Sequence, residues 1–173
     1  DCDENLHGTT ITLEGLNQNL NYPNPDRLKE LLIRDYGRET DFSITINGEN
    51  IGVLDLQGKS YSERIELPDG KMATLNYTIT EKPVKQAGIV VRVNNKIIGR
   101  PQNFLVEDEI IPKKLQNRVY GELICDDLEE DLTADFGAVI DNSKLYQKVT
   151  AETTEKLKSS VDEVFVTDMK MAR

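Results

Sequence analysis

The residues whose types could hold a ligand lie near the start of the chain, where Gly8-Thr9-Thr10 leads into Ile11-Thr12-Leu13. Backbone N–H groups at such a turn, together with threonine hydroxyls, can bind an anion such as phosphate. The alternation that follows predicts a strand over residues 8–14 that buries Ile11 and Leu13. The same pattern is also typical of an ordinary loop that enters a strand, so both interpretations stand.

Other chemistry-bearing residues are few. The only histidine, His7, has no evident acid partner, and Cys125 falls on the strand face that we expect to be buried, which predicts a core thiol rather than a nucleophile. The acidic run 126–131 could bind a hard cation, but it lacks the glycine and the oxygen spacing of an EF-hand, and a solvated acidic turn is the alternative. No Walker-type glycine loop and no dinucleotide fingerprint occurs. We therefore expect no catalytic residue and no metal ligand, and an independent hydrolase has no nucleophile-base pair to support it.

The composition limits the class of protein. The 173 residues include 31 acidic and 21 basic side chains, a net charge of −10, so nucleic acid is an improbable partner for most of this surface. Two distant cysteines and one histidine are too few for a structural zinc site and fit a reducing compartment. With no run of 18 apolar residues and an acidic start, the sequence predicts a soluble, cytoplasmic protein without a membrane span. Because the chain starts at Asp1 rather than methionine, we expect a fragment.

A helix is predicted to begin at Pro25 and to end before Gly37, since proline suits a first turn and glycine suits a helix end. Leu28, Leu31 and Leu32 mark one face of this helix. The amphipathic pattern predicts that the face packs on a core.

Alternating apolar residues after residue 41 predict a series of strands. Asn47-Gly48, Pro68-Asp69-Gly70 and Asn94-Asn95 are sequences typical of tight turns between strands. The predicted strands cover residues 42–46, 51–56, 61–67, 72–80, 88–93, 97–98 and 119–125. For residues 101–117 the sequence is compatible with either a loop or a short helix around Lys113.

The last predicted element is a helix from Ser143 to about Val166, because apolar residues recur three or four positions apart over about six turns. Asn142 or Ser143 can cap its start, and the tail from Thr167 is predicted to lack fixed structure. The fold class is therefore α+β: a mainly antiparallel sheet of about six to eight strands with a long C-terminal helix packed on one face.

Four segments, in order, resemble parts of one superfamily. Gly8-Thr9-Thr10-Ile11-Thr12-Leu13-Glu14-Gly15-Leu16, followed by a proline and a helix, resembles the last motif of GHKL ATPase domains, the superfamily of gyrase B, histidine kinases, MutL and MORC. Asp41-Phe42-Ser43-Ile44-Thr45-Ile46-Asn47-Gly48 looks like the strand and turn that open the MutL transducer domain. The run 88–98 looks like a MORC segment, and 119–136 is similar in position to the MORC strand and loop before the final helix. The resemblance touches most of the chain from residue 7 to about 165.

The resemblance implies a fragment that contains the tail of an ATP-binding domain at 1–38 and a transducer-like α+β domain at 39–173. It implies that Gly8, Thr9 and Thr10 lie beside the phosphates of Mg-ATP in the intact parent, and that the loop 126–137, with Thr133 and Asp135, is a sensor. The partners implied are the upstream ATP-binding segment and, through the parent, a second copy in a homodimer. No cofactor is expected for the fragment alone.

Several family features are absent from this sequence. The early helix with the catalytic Glu or Asp and the Mg-binding Asn is missing, as is the Asp-x-Gly-x-Gly that reads adenine. Related transducers send a lysine to the γ-phosphate from the loop before the last helix, but residues 132–136 contain none. Lys96, Lys113 and Lys114 are the possible substitutes.

Two functions from different classes follow. The first is a nucleotide-state transducer of a GHKL-type protein that does not hydrolyse ATP on its own. The second is a non-enzymatic β-rich module that binds a partner protein through an exposed sheet edge. A long unpaired edge between Ser60 and Thr80, with the Gly8-Thr9 strand buried and remote from any cavity, would favour this function.

Overall fold

The computed structural model describes residues 8–39 and 42–172, and it has the α+β fold that the sequence predicts. His7 and the start of the 1–38 unit lie outside the described residues. The helices are α1 (Pro25–Tyr36), α2 (Lys113–Gln116) and α3 (Lys144–Met171). The strands are β1 (Ile44–Ile46), β2 (Glu49–Ile51), β3 (Gly58–Glu66), β4 (Met72–Thr80), β5 (Gly88–Val93), β6 (Lys96–Gln102) and β7 (Val119–Ile124).

The strands form a two-stranded hairpin, β1–β2, and a five-stranded sheet in the order β3-β4-β7-β5-β6. The main sheet is therefore slightly smaller than the six to eight strands predicted, because β1 and β2 pair only with each other. All neighbours are antiparallel except β5 and β7, which run parallel. β7, last in sequence, lies between two hairpins.

Each of the three predicted turns joins two strands, but the strand predicted over residues 51–56 is wrong: β2 ends at Ile51, and Val53–Asp55 form a short 3₁₀ turn in which Asp55 Oδ2 accepts a hydrogen bond of 2.9 Å from Gly52 N. Asn47, Asp69, Asn94 and Asn95 all have positive φ, which these short polar residues adopt more readily than other side chains. Gly121 is the point of closest approach between β7 and β4, since a Cβ there would collide with Asn76 O and with Tyr77. A side chain at this position would push the two central strands apart.

α3 covers one face of the sheet, as predicted, and its buried residues repeat at helical spacing. Val149, Leu157 and Val161 are fully buried against the sheet, and Tyr77 and Ser160 share a hydrogen bond of 2.6 Å between their hydroxyl oxygens. Ser143 caps the start by accepting a hydrogen bond from Tyr146 N. The core thus lies between the sheet and α3.

The prediction that the tail from Thr167 lacks fixed structure is wrong, because α3 continues to Met171. An ion pair of 2.8 Å between Arg118 and Asp168 holds the last turns against the body of the protein. The sequence pattern missed this contact because the partner lies fifty residues away.

In the N-terminal region one prediction is wrong and another holds in part. Residues 8–14 form no strand, because no described strand lies beside them to accept their backbone hydrogen bonds. Ile11 and Leu13 are 79% and 75% exposed. α1 has the predicted bounds, but it buries Ile33 completely while Leu28 stays exposed. The apolar face of α1 is therefore only partly covered.

Within the described residues, no helix combines the length and the hydrophobicity needed to cross a membrane.

Candidate functional site

Gly8, Thr9 and Thr10 are exposed in the structure. No hydrogen bond joins any of the three to another described residue. Gly8 has a φ of 152°, a conformation that favours glycine. Their N–H and hydroxyl groups are thus free of protein partners in the described chain, as donors for a ligand would be.

The loop of residues 132–139 is a compact turn closed by a bridge between Leu132 and Val139. The Thr133 hydroxyl donates a hydrogen bond of 2.6 Å to Asp135 Oδ1, and Gly137 N donates to the same oxygen. These hydrogen bonds, the threonine's first, lower the pKa of Asp135. The structure therefore brings the two predicted sensor residues, Thr133 and Asp135, together, and the hydrogen bond between them helps to order the loop.

Phe136 lies at the tip of this turn in a strained conformation. Its φ is 55°, which is rare for an aromatic residue, and the residue is 58% exposed. Lys96 Nζ lies 5.9 Å from the centre of the Phe136 ring, within cation–π range. Of the three candidate lysines, Lys96 is the one that the structure places at the loop, whereas Lys113 and Lys114 lie on α2.

The acidic run 126–131 forms a short 3₁₀ segment whose first carboxylates bind neighbouring backbone groups. Asp126 Oδ1 accepts a hydrogen bond of 2.7 Å from Asn94 N, and Asp127 Oδ2 accepts one from Met72 N. Leu128 is buried beneath them. In the part of the chain that the structure describes, no three His, Cys, Asp or Glu side chains are grouped so that they could hold a metal ion.

A buried polar junction fastens the end of α1 to the sheet. Arg38 is 6% exposed, and its guanidinium donates to the carbonyl oxygens of Gln86 and Gly88 at 2.8 and 3.2 Å. The same guanidinium lies 4.0 Å above the ring of Tyr120 on β7. The Tyr120 hydroxyl in turn donates at 2.9 Å to Ile33 O, a carbonyl in the last turn of α1 that also accepts a hydrogen bond from Gly37 N.

Arg92 on β5 completes this junction. It donates to Arg38 O at 2.8 Å and forms an ion pair of 2.7 Å with Glu122 on the neighbouring strand β7. Burial lowers the pKa of Arg38 and raises that of Tyr120, and the contact between the two groups opposes both shifts. The junction therefore holds two buried guanidinium groups whose charges are met by one carboxylate, one ring face and several carbonyl oxygens.

Sequence reasoning did not identify this junction. Arg92 gave a signal that could have been used, since it is a charged residue inside the apolar run 88–93, and such a residue must find a buried partner. Arg38 gave none, because its position just after a helix is typical of a solvent-exposed arginine. Cys125, by contrast, is the buried core thiol that was predicted, and burial raises its pKa to about 11.

The described residues thus present exposed donors at residues 8–10, an ordered turn beside Lys96, and a polar link between α1 and the sheet. Neither a scan against protein-family models nor a search of curated proteins finds a match for this chain.

Proposed function

We propose that this chain is the nucleotide-state transducer part of a GHKL-type ATP-binding protein of the cytoplasm. In the longer protein, residues 8–16 form a strand of the ATP-binding fold, and Gly8, Thr9 and Thr10 donate hydrogen bonds to the phosphates of Mg-ATP. The chain alone lacks the rest of that site and does not hydrolyse ATP.

The main support for the proposal is a segment near the start of the chain that has the sequence pattern of a strand but is exposed to solvent. Ile11 and Leu13 alternate with threonines as in a half-buried strand, yet both side chains face solvent. Leu28 and Tyr36 on α1 are also exposed. A segment with the sequence pattern of a strand and a helix, each lacking part of its packing, fit a domain whose remaining elements are supplied by another segment.

A continuous set of hydrogen bonds supports transmission from this region to the sensor loop. Arg38 and Arg92 join the end of α1 to β5, and Arg92 O accepts a hydrogen bond of 3.0 Å from Cys125 N at the start of the acidic segment. Asp126 then binds Asn94 N beside Lys96. A shift of α1 that accompanies ATP binding would therefore reach residues 126–139 through rigid elements rather than through a flexible linker.

In this proposal Lys96 takes the part of the lysine that reaches the γ-phosphate. It is already at the sensor loop, where its partner is the exposed ring of Phe136. Exchange of this weak contact for a phosphate would couple the loop to the presence of the γ-phosphate.

The alternative, a non-enzymatic interaction module, has one specific observation in its favour. β3 is a nine-residue strand at the edge of the sheet, and its outer side has no described partner. The other feature that would favour that function, a buried Gly8-Thr9 segment, is not found, because both residues are exposed. We therefore keep the transducer as the principal proposal.

Isothermal titration with Mg-ATP tests the proposal, using this chain and the longer protein that includes the upstream segment. We expect no binding by this chain alone and binding by the longer protein. In the longer protein, Thr9→Val should weaken ATP binding, while Lys96→Met should lower the hydrolysis rate with little change in ATP affinity. Lys113→Met is the matched control and should change neither quantity.

Binding of Mg-ATP by this chain alone would contradict the proposal. So would a longer protein in which Thr9→Val leaves ATP affinity unchanged, or one in which hydrogen exchange of residues 8–16 is as fast as in this chain.

A further inference from the structure

The outer edge of β3 offers a row of backbone groups for pairing with another strand. β3 spans nine residues, is hydrogen-bonded only to β4 among the described strands, and exposes most of its side chains. Edge strands of this length invite strand addition unless they are covered or interrupted. β3 contains no proline and no break in its register with β4.

We propose that β3 pairs with β3 of a second copy of this chain, antiparallel about a two-fold axis, so that two five-stranded sheets join into one. The inference is independent of the proposed transducer function, because it concerns the opposite end of the chain's sheet from β6 and uses no nucleotide-facing residue.

Charge complementarity selects the register. When Tyr61 lies opposite Tyr61 of the second copy, Lys59 lies opposite Glu63 of the other copy, and the pair occurs twice. A two-fold axis at Glu63 would instead place two carboxylates opposite each other, and an axis at Ser62 would place Lys59 opposite Ile65. Opposite charges and aromatic pairs across strands stabilise a sheet, and like charges destabilise it.

The surroundings of these side chains suit the same register. Lys59 and Glu63 lie on the face of the sheet beneath α3, where they already form ion pairs with Glu163 at 2.6 Å and with Lys156 at 3.1 Å. In the dimer, an ion pair of one copy meets an ion pair of the other copy and forms a row of four charges of alternating sign. The row consists of Glu163, Lys59, Glu63 of the other copy and Lys156 of the other copy, and it occurs twice. Such networks are more favourable than isolated surface pairs.

Tyr61 supplies the apolar centre. It is half-buried and stacks on Tyr77 of β4, with ring centres 4.9 Å apart. Across the axis, the second Tyr61 would extend this stack, and the shared aromatic surface would leave solvent on both copies.

The test measures molar mass by light scattering over a range of concentrations, using the full 173-residue chain. We expect a dimer for the wild type. Lys59→Glu and Glu63→Lys each place like charges opposite each other twice and should raise the dissociation constant about tenfold or more. An equimolar mixture of the two variants should recover the wild-type dissociation constant, because every reversed charge then faces an opposite charge in the other variant.

The matched control is Lys148→Glu, which breaks an exposed ion pair of the same kind on α3 but lies away from β3. It should leave the dissociation constant unchanged. A monomeric wild type at millimolar concentration would overturn the proposal, and so would a mixture that stays as monomeric as its two components. Circular dichroism of each variant establishes that a loss of dimer is not a loss of fold.

Discussion

The N-terminal region, residues 8–42, and the sheet with α3 both contain large hydrophobic side chains, but these side chains are mostly exposed in the first and mostly buried in the second. Eight of the seventeen exposed large hydrophobic side chains of the described chain lie between Ile11 and Phe42, although this region is less than a quarter of the sequence. In the sheet, by contrast, Leu75, Tyr77 and Ile79 alternate along β4 just as Ile11 and Leu13 do, and all three are buried. An alternating pattern thus predicts that one face of a segment will be buried, but the burial itself depends on another element packing against that face.

The difference separates two sources of stability. β4 has β3 and β7 on either side, so its backbone groups are paired and its apolar face meets α3. The segment 8–14 has neither. We expect the sheet and α3 to fold cooperatively in this chain, and residues 8–14 to form a strand only where another segment provides its partners.

The largest expected effect separates the two regions directly. Leu75→Ala removes a fully buried side chain from β4 and should lower the free energy of unfolding by about 3–5 kcal/mol. Leu13→Ala should change it by less than about 0.5 kcal/mol in this chain, since the side chain is exposed. Urea unfolding followed by circular dichroism measures both values. Equal effects would show that the N-terminal segment is packed in solution, contrary to the comparison.

Thiol labelling sharpens the same contrast. In a Cys2→Ser background, a pKa of about 11 leaves Cys125 with a thiolate fraction about 100-fold lower than in the unfolded chain below pH 9, so its reaction with a maleimide should be slower by at least that factor. Leu13→Cys, added to this background, should react at the rate of a free thiol. Rapid labelling of Cys125 in the native protein would mean that the core opens.

The raised pKa of Cys125 also has a consequence for stability. Since the folded chain holds the thiol proton more tightly than the unfolded chain does, this contribution is fully present below about pH 9 and is lost as the pH rises towards about 11. Cys125→Ala should therefore flatten the alkaline limb of a plot of unfolding free energy against pH.

The junction between the two regions should give a smaller effect. Arg38→Met leaves the carbonyl oxygens of Gln86 and Gly88 without their donor and should cost about 1–3 kcal/mol of stability in urea unfolding. Arg27→Met, which breaks an exposed ion pair with Glu30 on α1, should cost less than about 0.5 kcal/mol. If the two variants were equally stable, α1 would not be fastened to the sheet as described.

Sequence reasoning predicted the local elements well because their signals are local. Turn residues such as Asn47-Gly48 and Asn94-Asn95, the capping Ser143 and the alternation along β4 each specify structure within a few positions. The order of the strands depends on contacts between distant segments, so it could not be read from these signals.

The candidate site was predicted less completely, for a related reason. Thr133 and Asp135 are two positions apart, and the structure shows them hydrogen-bonded to each other. Arg38, Arg92 and Glu122 are far apart in the chain, and their meeting depends on the sheet being formed. The domain division at residue 38 and the phosphate-binding role of residues 8–10 stay predictions.

The central place of β7 has a consequence for how the protein forms. Ribosomes deliver β3, β4, β5 and β6 before β7, so during synthesis two hairpins exist whose facing edges have nothing to join them. The sheet closes only when β7 enters between β4 and β5, pairing with one antiparallel and with the other parallel. A nascent chain that stops before Val119 would therefore expose two open strand edges, which makes this interval of translation the one at which chaperone binding or aggregation should concentrate.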